Sequence, residues 1–165
     1  MIAFNRVLID GFILSVIFTA YVFGTLKWNY RLWIQDFPAD IRAMVPPKSD
    51  REKRMTVYMA IPLFLIILAG PLVSLLLVKS ASGADLTFLR AWLHAYLVWE
   101  FVNLWDWLII DWGYLLFVNP AKPPIPGTEG ARGYRDYAFH FYGFLKGSVG
   151  GIVLALPPAA ISMLV

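Results

Sequence analysis

Between residues 89 and 118 an almost wholly apolar stretch carries His94, Glu100, Asn103, Asp106 and Asp111. Carboxylates can hold and release protons, ligate hard cations or pair with a base, and their surroundings decide which. Here the surroundings are Leu, Val, Phe and Trp. A central Asp inside a bilayer costs roughly 2.5–3.5 kcal/mol on insertion scales, so such residues are read as functional or as structurally paired.

At 3.6 residues per turn, Tyr96, Glu100, Asn103, Trp107, Asp111 and Tyr114 fall along one helical stripe. Asp106 lies off its edge, and His94 lies further round. Glu100 sits deepest and has no cationic neighbour on the stripe, which suits a group that titrates or binds a transported ion. Lys146, about two turns into the last apolar run, reaches a depth between Asp106 and Asp111 and predicts an ion pair with one of them. One lysine cannot neutralise three acids, so at least one must be protonated, solvated or bound to a cation. Glu100, Asn103, Asp106, Asp111 and Lys146 are therefore the candidate proton- or ion-binding residues.

The elements that position them follow from the apolar runs. Hydrophobic residues make up 59% of the 165 positions and charged residues 15%, against about 45–50% and 25% in a soluble domain. The excess is gathered into runs at 7–26, 57–78, 89–118 and 138–165, each reaching the roughly 20 residues that cross a hydrocarbon core. They predict a single all-α integral membrane domain of four transmembrane helices, in which the polar stripe faces the bundle interior. Asp10 interrupts the first run and no small-residue cleavage site follows, so that run reads as a span rather than a signal peptide. Gly143, Gly147 and Gly151 form a ladder that lets the last helix approach a neighbour closely.

The loops carry the topology. Seven Lys or Arg lie in the loop 27–56 and three in the loop 119–137, against Arg6, Lys79 and Arg90 on the other side. That asymmetry predicts both loops in the cytoplasm and both termini on the outer side. In the first loop Trp33, Phe37, Ile41 and Met44 or Val45 recur at helical spacing before Pro46 and Pro47. They predict a short amphipathic helix near 38–45, lying in the headgroup region with Trp28, Tyr30 and Trp33 as anchors. The run KSDREKR that follows reads as a solvated positive-inside determinant. In the other loop Pro120, Pro123, Pro124 and Pro126 exclude a helix and Pro126–Gly127 marks a turn. Gly127, Gly130 and Gly133 leave amides free to approach an anion, so Arg132, Arg135 and His140 are candidates for an anion or lipid headgroup.

Several chemistries are excluded. There are no cysteines, hence no disulfide, thiolate metal site or cysteine nucleophile. His94 and His140 sit near opposite ends of their spans and cannot share an iron. No ligand spacing specifies a metal, no cofactor is indicated, and neither a G-x-S-x-G elbow nor a phosphate-binding glycine loop occurs. The basic residues flank spans, which points to lipid rather than nucleic acid. Transport or proton translocation through Glu100 fits these residues best, and a bundle this small would work as a homo-oligomer or beside a partner membrane subunit. The alternatives are a structural or regulatory subunit of a larger membrane complex, and a membrane enzyme acting on a lipid headgroup through Asp106, Asp111 and His140.

Overall fold

A computed structural model describes residues 3–82, 86–115 and 122–165, and the described residues contain helices and loops but no strand. Helix α1 spans Phe4–Trp28, α2 Ala39–Met44, α3 Asp50–Ser82, α4 Phe88–Trp105, α5 Tyr137–Leu154 and α6 Leu156–Ser162. A π-helical segment, Asp106–Leu115, prolongs α4, and 3-10 turns occupy Tyr30–Asp36 and Arg132–Arg135. Residues 116–118 of the third predicted span, and Pro120, lie outside the described residues.

Among the described residues, three helices are long and apolar enough to cross a membrane: Phe4–Trp28, Asp50–Ala81 and the joined pair Tyr137–Ser162. Their outer faces remain bare, with Phe12 and Ile13 on α1, Ile61 and Leu65 on α3, and Val149 and Val153 on α5 all exposed. Helix α4 differs from them. It has 18 residues, includes Arg90, His94, Glu100 and Asn103, and does not belong to that group. It is also the hub, contacting α1, α3, α5 and α6. The helix that carries the buried His94 and Asn103 is thus the central one. Its small and branched residues make the core: Ala91 and Ala95 meet Leu75, Ala155 and Ala159, while Val98 and Val102 meet Val7 and Leu14.

Local sequence explains the breaks. Ser49 and Glu52 form a capping box at the start of α3: the Ser49 amide donates to Glu52 Oε2 at 2.7 Å and the Glu52 amide donates to Ser49 Oγ at 3.3 Å. Pro62 and Pro71 lie inside α3, where each removes one backbone donor. Near the first, the Tyr21 hydroxyl donates to the Met59 carbonyl. Ala155 divides the last predicted span, because Pro157 and Pro158 suit the first turn of a new helix and not the interior of an old one.

The loops between helices fold over one end of the bundle as a cap with its own core. Phe37, Ile41, Ile125 and Tyr134 are all buried there, with Ile41 and Ile125 at 0% exposure. Helix α2 thus appears where the spacing predicts a helix, but its apolar side turns onto the opposite loop instead of a lipid surface. Trp33 joins the cap and donates from Nε1 to Thr25 Oγ1 at 2.9 Å, whereas Trp28 is 67% exposed. The KSDREKR run is not simply solvated either. Lys48 donates to the Leu32 carbonyl and Thr56 Oγ1, each at 2.9 Å, and to Gln35 Oε1. Arg31 pairs with Glu52 and donates to the Pro46 and Pro47 carbonyls. These contacts tie the 3-10 turn to the start of α3.

The predicted glycine ladder is used unevenly. A Cβ at Gly147 would overlap the Asn103 amide and one at Gly151 would overlap the Trp99 indole, while one at Gly143 meets nothing within 4 Å. Gly147→Val and Gly151→Val are therefore expected to destabilise the bundle by about 1–3 kcal/mol each, and Gly143→Val by far less. Thermal unfolding of the three purified variants measures the order, and a Gly143→Val as damaging as the other two contradicts this packing.

Candidate functional site

Polar side chains gather at three levels along α4. At the end that holds the termini, Arg6 Nη2 lies 2.8 Å from Asp10 Oδ1, and Ser74 Oγ donates to Asp10 Oδ2 at 2.6 Å. His94 Nε2 is 2.8 Å from the same Ser74 hydroxyl. A hydroxyl has one proton to give, so with Asp10 as its acceptor the His94 ring is the donor to Ser74. Ser74 and His94 are almost fully buried. Sequence reasoning missed this chain because its members come from α1, α3 and α4, at separations that no motif encodes.

The middle level is where α4 meets α5. Trp99 Nε1 donates to the Gly147 carbonyl at 3.0 Å, and Asn103 Nδ2 donates to the Phe144 carbonyl and Ser148 Oγ at 3.1 Å each. Ser148 Oγ donates to Glu100 Oε1 at 2.7 Å, with the Phe144 carbonyl at 3.1 Å as its alternative acceptor. Glu100 Oε2 is buried and makes no hydrogen bond, while the Tyr96 phenol one turn earlier borders the same carboxyl. No basic side chain pairs with Glu100 among the described residues.

The third level is a cavity of about 490 Å³ under the cap. Its charged lining is Asp36, Arg42, Asp106, Asp111, His140 and Lys146, drawn from the first loop, the π segment and α5. Asn103 reaches it from above, and Trp33, Trp107, Tyr114 and Phe144 supply ring surface. The winding of 106–115 decides who faces it. On an α-helix, residues 106 and 111 stand about 140° apart, which put Asp106 off the predicted stripe. With i→i+5 bonding, at about 4.4 residues per turn, the same two residues stand only about 50° apart. Both carboxylates consequently share one cavity.

The expected Lys146 ion pair is not formed. Lys146 is exposed and pairs with no described acid. Asp111 Oδ2 instead lies 3.1 Å from Nδ1 of buried His140, which opens α5 from the cap side. The Asp106 carboxyl makes no hydrogen bond with any described residue and lines the cavity. Asp36 stands at the cavity, accepting from Gln35 Nε2 at 2.8 Å. Surrounding protein raises its carboxyl above the ordinary range, opposed by the Gln35 hydrogen bond and by Lys48 and reinforced by Asp111. Burial lowers the Lys48 ammonium below the usual lysine range, and Asp36 and Glu52 pull it back up.

The structure thus brings Asn103, Asp106, Asp111, His140 and Lys146 around one cavity, with Glu100 joined to Asn103 through Ser148. Arg132 and Arg135 stay outside it, exposed on a 3-10 turn. Gly127 and Gly130 adopt positive φ of 83° and 79°, as a glycine turn requires. Two of the glycine amides expected to meet an anion already have acidic partners: Gly127 donates to Glu129 Oε1 at 3.2 Å and Gly133 to Asp40 Oδ2 at 2.7 Å. No group of three His, Asp or Glu among the described residues is arranged to hold a metal ion.

Among the described residues, fold and site together define an all-helical protein in which three apolar helices, each long enough to cross a membrane, pack against a fourth that carries the polar stripe. The chain matches no protein-family model, no curated protein and no solved structure.

The raised carboxyl of Asp36 has a pH signature. Because the folded state holds this proton more tightly than the unfolded chain, its contribution to stability is greatest below the ordinary value of about 4 and falls as pH rises toward the raised value. Asp36→Asn is therefore expected to raise the melting temperature at neutral pH, with the gain shrinking as pH falls from the raised value toward about 4 and absent below it. Melting curves of both proteins across that range test the sign, and a variant less stable at neutral pH than at low pH, relative to the parent, contradicts it.

Proposed function

We propose that this protein is a small integral membrane protein that moves protons across the bilayer, with Glu100 as the group that titrates. In this reading four segments cross: α1, α3, α4 with its π extension, and α5 with α6. The loops 27–56 and 119–137 face the cytoplasm and both termini lie outside, in keeping with seven and three basic residues in those loops against Arg6, Lys79 and Arg90 opposite. A central place among apolar helices is what lets α4 carry acids through the hydrocarbon region.

One observation carries the proposal: a single hydroxyl can serve both protonation states of Glu100. With Glu100 ionised, Ser148 donates to it at 2.7 Å. With Glu100 protonated, the acid donates back across the same contact and the Ser148 hydroxyl turns to the Phe144 carbonyl at 3.1 Å. The contact between Glu100 Oε1 and Ser148 is kept in either state, and no lysine or arginine among the described residues locks the carboxyl as an anion. Asn103 continues from Ser148 to the wall of the capped cavity, and the Asp10–Ser74–His94 chain occupies the other end of α4. A carboxyl with polar groups above and below it along one helix is the arrangement of proton relays in pumps and transporters.

The test uses the full chain in liposomes loaded with a pH-sensitive dye, driven by a potassium diffusion potential. The parent is expected to pass protons. Glu100→Gln keeps the shape and hydrogen bonding of the neutral acid and is expected to lower the flux at least tenfold with unchanged helix content and elution volume. Ser148→Ala is expected to slow it by a smaller factor. Flux through Glu100→Gln equal to that of the parent rejects Glu100 as the proton site.

A further inference from the structure

The capped cavity is lined by an acidic and two basic side chains that form no ion pair with any described residue. Asp106 is half-buried, lines the cavity, and its carboxyl pairs with no described residue. Arg42 and Lys146 line the same space, are exposed, and likewise form no ion pair with a described acid. Opposite charges in a partly dry concavity attract strongly. Those that share a cavity without meeting are held apart by the elements that carry them, here α2, the π segment and α5. A ligand bearing both signs would satisfy them together.

The rest of the lining narrows its chemistry. Trp33 and Tyr114 offer ring faces of the kind that hold substituted ammonium groups beside carboxylates. Phe18, Val22 and Leu26 of α1 make an apolar wall just where that helix ends in Lys27 and Trp28. That is the depth at which apolar chain gives way to headgroup in a bilayer, a placement that rests on the membrane crossing proposed above but not on the proton step. A volume of about 490 Å³ suits a small polar ligand and is too small for a lipid with its acyl chains.

We infer that this cavity binds a zwitterion that joins an ammonium to a phosphate, the ammonium toward Asp106 and Asp111 and the phosphate toward Arg42 and Lys146. The same chemistry is presented by the head of a zwitterionic phospholipid and by a free phospho-amine.

Native mass spectrometry of the full chain in detergent counts bound lipid and tests this. Phosphatidylethanolamine is expected to bind at least tenfold more tightly than phosphatidylglycerol, which offers the phosphate without the ammonium. Asp106→Asn and Arg42→Gln are each expected to weaken that binding at least fivefold, and Arg42, being exposed, can be replaced without loss of the fold. Gly143→Phe places a ring at the cavity wall where the added Cβ displaces nothing, and is expected to abolish binding. Soluble phosphoethanolamine that displaces the lipid identifies a free phospho-amine as a ligand, and lipid binding that resists it identifies the lipid; both support the inference. Equal affinity for phosphatidylglycerol, or unchanged affinity in Arg42→Gln, overturns it. The readout is binding rather than flux, so Glu100→Gln separates the two proposals: it is expected to bind lipid like the parent whether or not it passes protons.

Discussion

Glycine at 147 and 151 lets the backbone of α5 approach α4 closely enough for Trp99 and Asn103 to donate to its Gly147 and Phe144 carbonyls, and the polar groups of the bundle take their places from that contact. A side chain at either glycine would occupy the space of the indole or the amide. Close approach also brings Ser148 within reach of both Asn103 and Glu100, which gives the central carboxyl a partner without placing a charge beside it. Where no water is at hand to solvate a carboxylate, its partners must come from the protein, and here they come from one neighbouring helix.

The π segment extends the same logic toward the cap. An α-helix would send Asp106 and Asp111 to different faces, and one of them would then need a separate partner. Wider winding gathers both at one cavity, where Asp111 meets His140 and Asp106 is left open. Long π segments are uncommon because their winding is less favourable, and they concentrate where a function depends on the altered register. The cap completes the cavity from the first loop, through Trp33, Asp36 and Arg42.

The cap itself is held by contacts that run between loops. Asp40 accepts from the Gly133 amide, Ile41 packs on Ile125, and Lys48 joins the 3-10 turn to α3. These are interactions of an ordinary small polar fold, placed on the end of a bundle whose flanks are bare hydrocarbon. Part of the charge in this region is committed to structure. Arg31 and Lys48, which in the sequence look like free determinants of orientation, spend their donors on Glu52, backbone carbonyls, Gln35 and Thr56.

Run length and helical period are local quantities, so the sequence by itself determined an all-helical chain in which three of the four predicted spans are long apolar helices, the short helix near 39–44, the stripe through Glu100 and Asn103, and the glycine face of α5. Depth along a helix is also legible: Lys146 lines the same cavity as Asp106 and Asp111, but it pairs with neither. Direction around the axis at that depth depends on winding, and winding at 106–115 departs from the α period that every spacing argument assumes. Only the tertiary structure could therefore join Asp106 to Asp111, assign His140 as the partner of Asp111, and bring Asp10, Ser74 and His94 together from three helices. The physical reason is common to all of them. A hydrogen bond or ion pair acts over about 3 Å, and which groups come that close is settled by how helices cross and turn, not by their order along the chain.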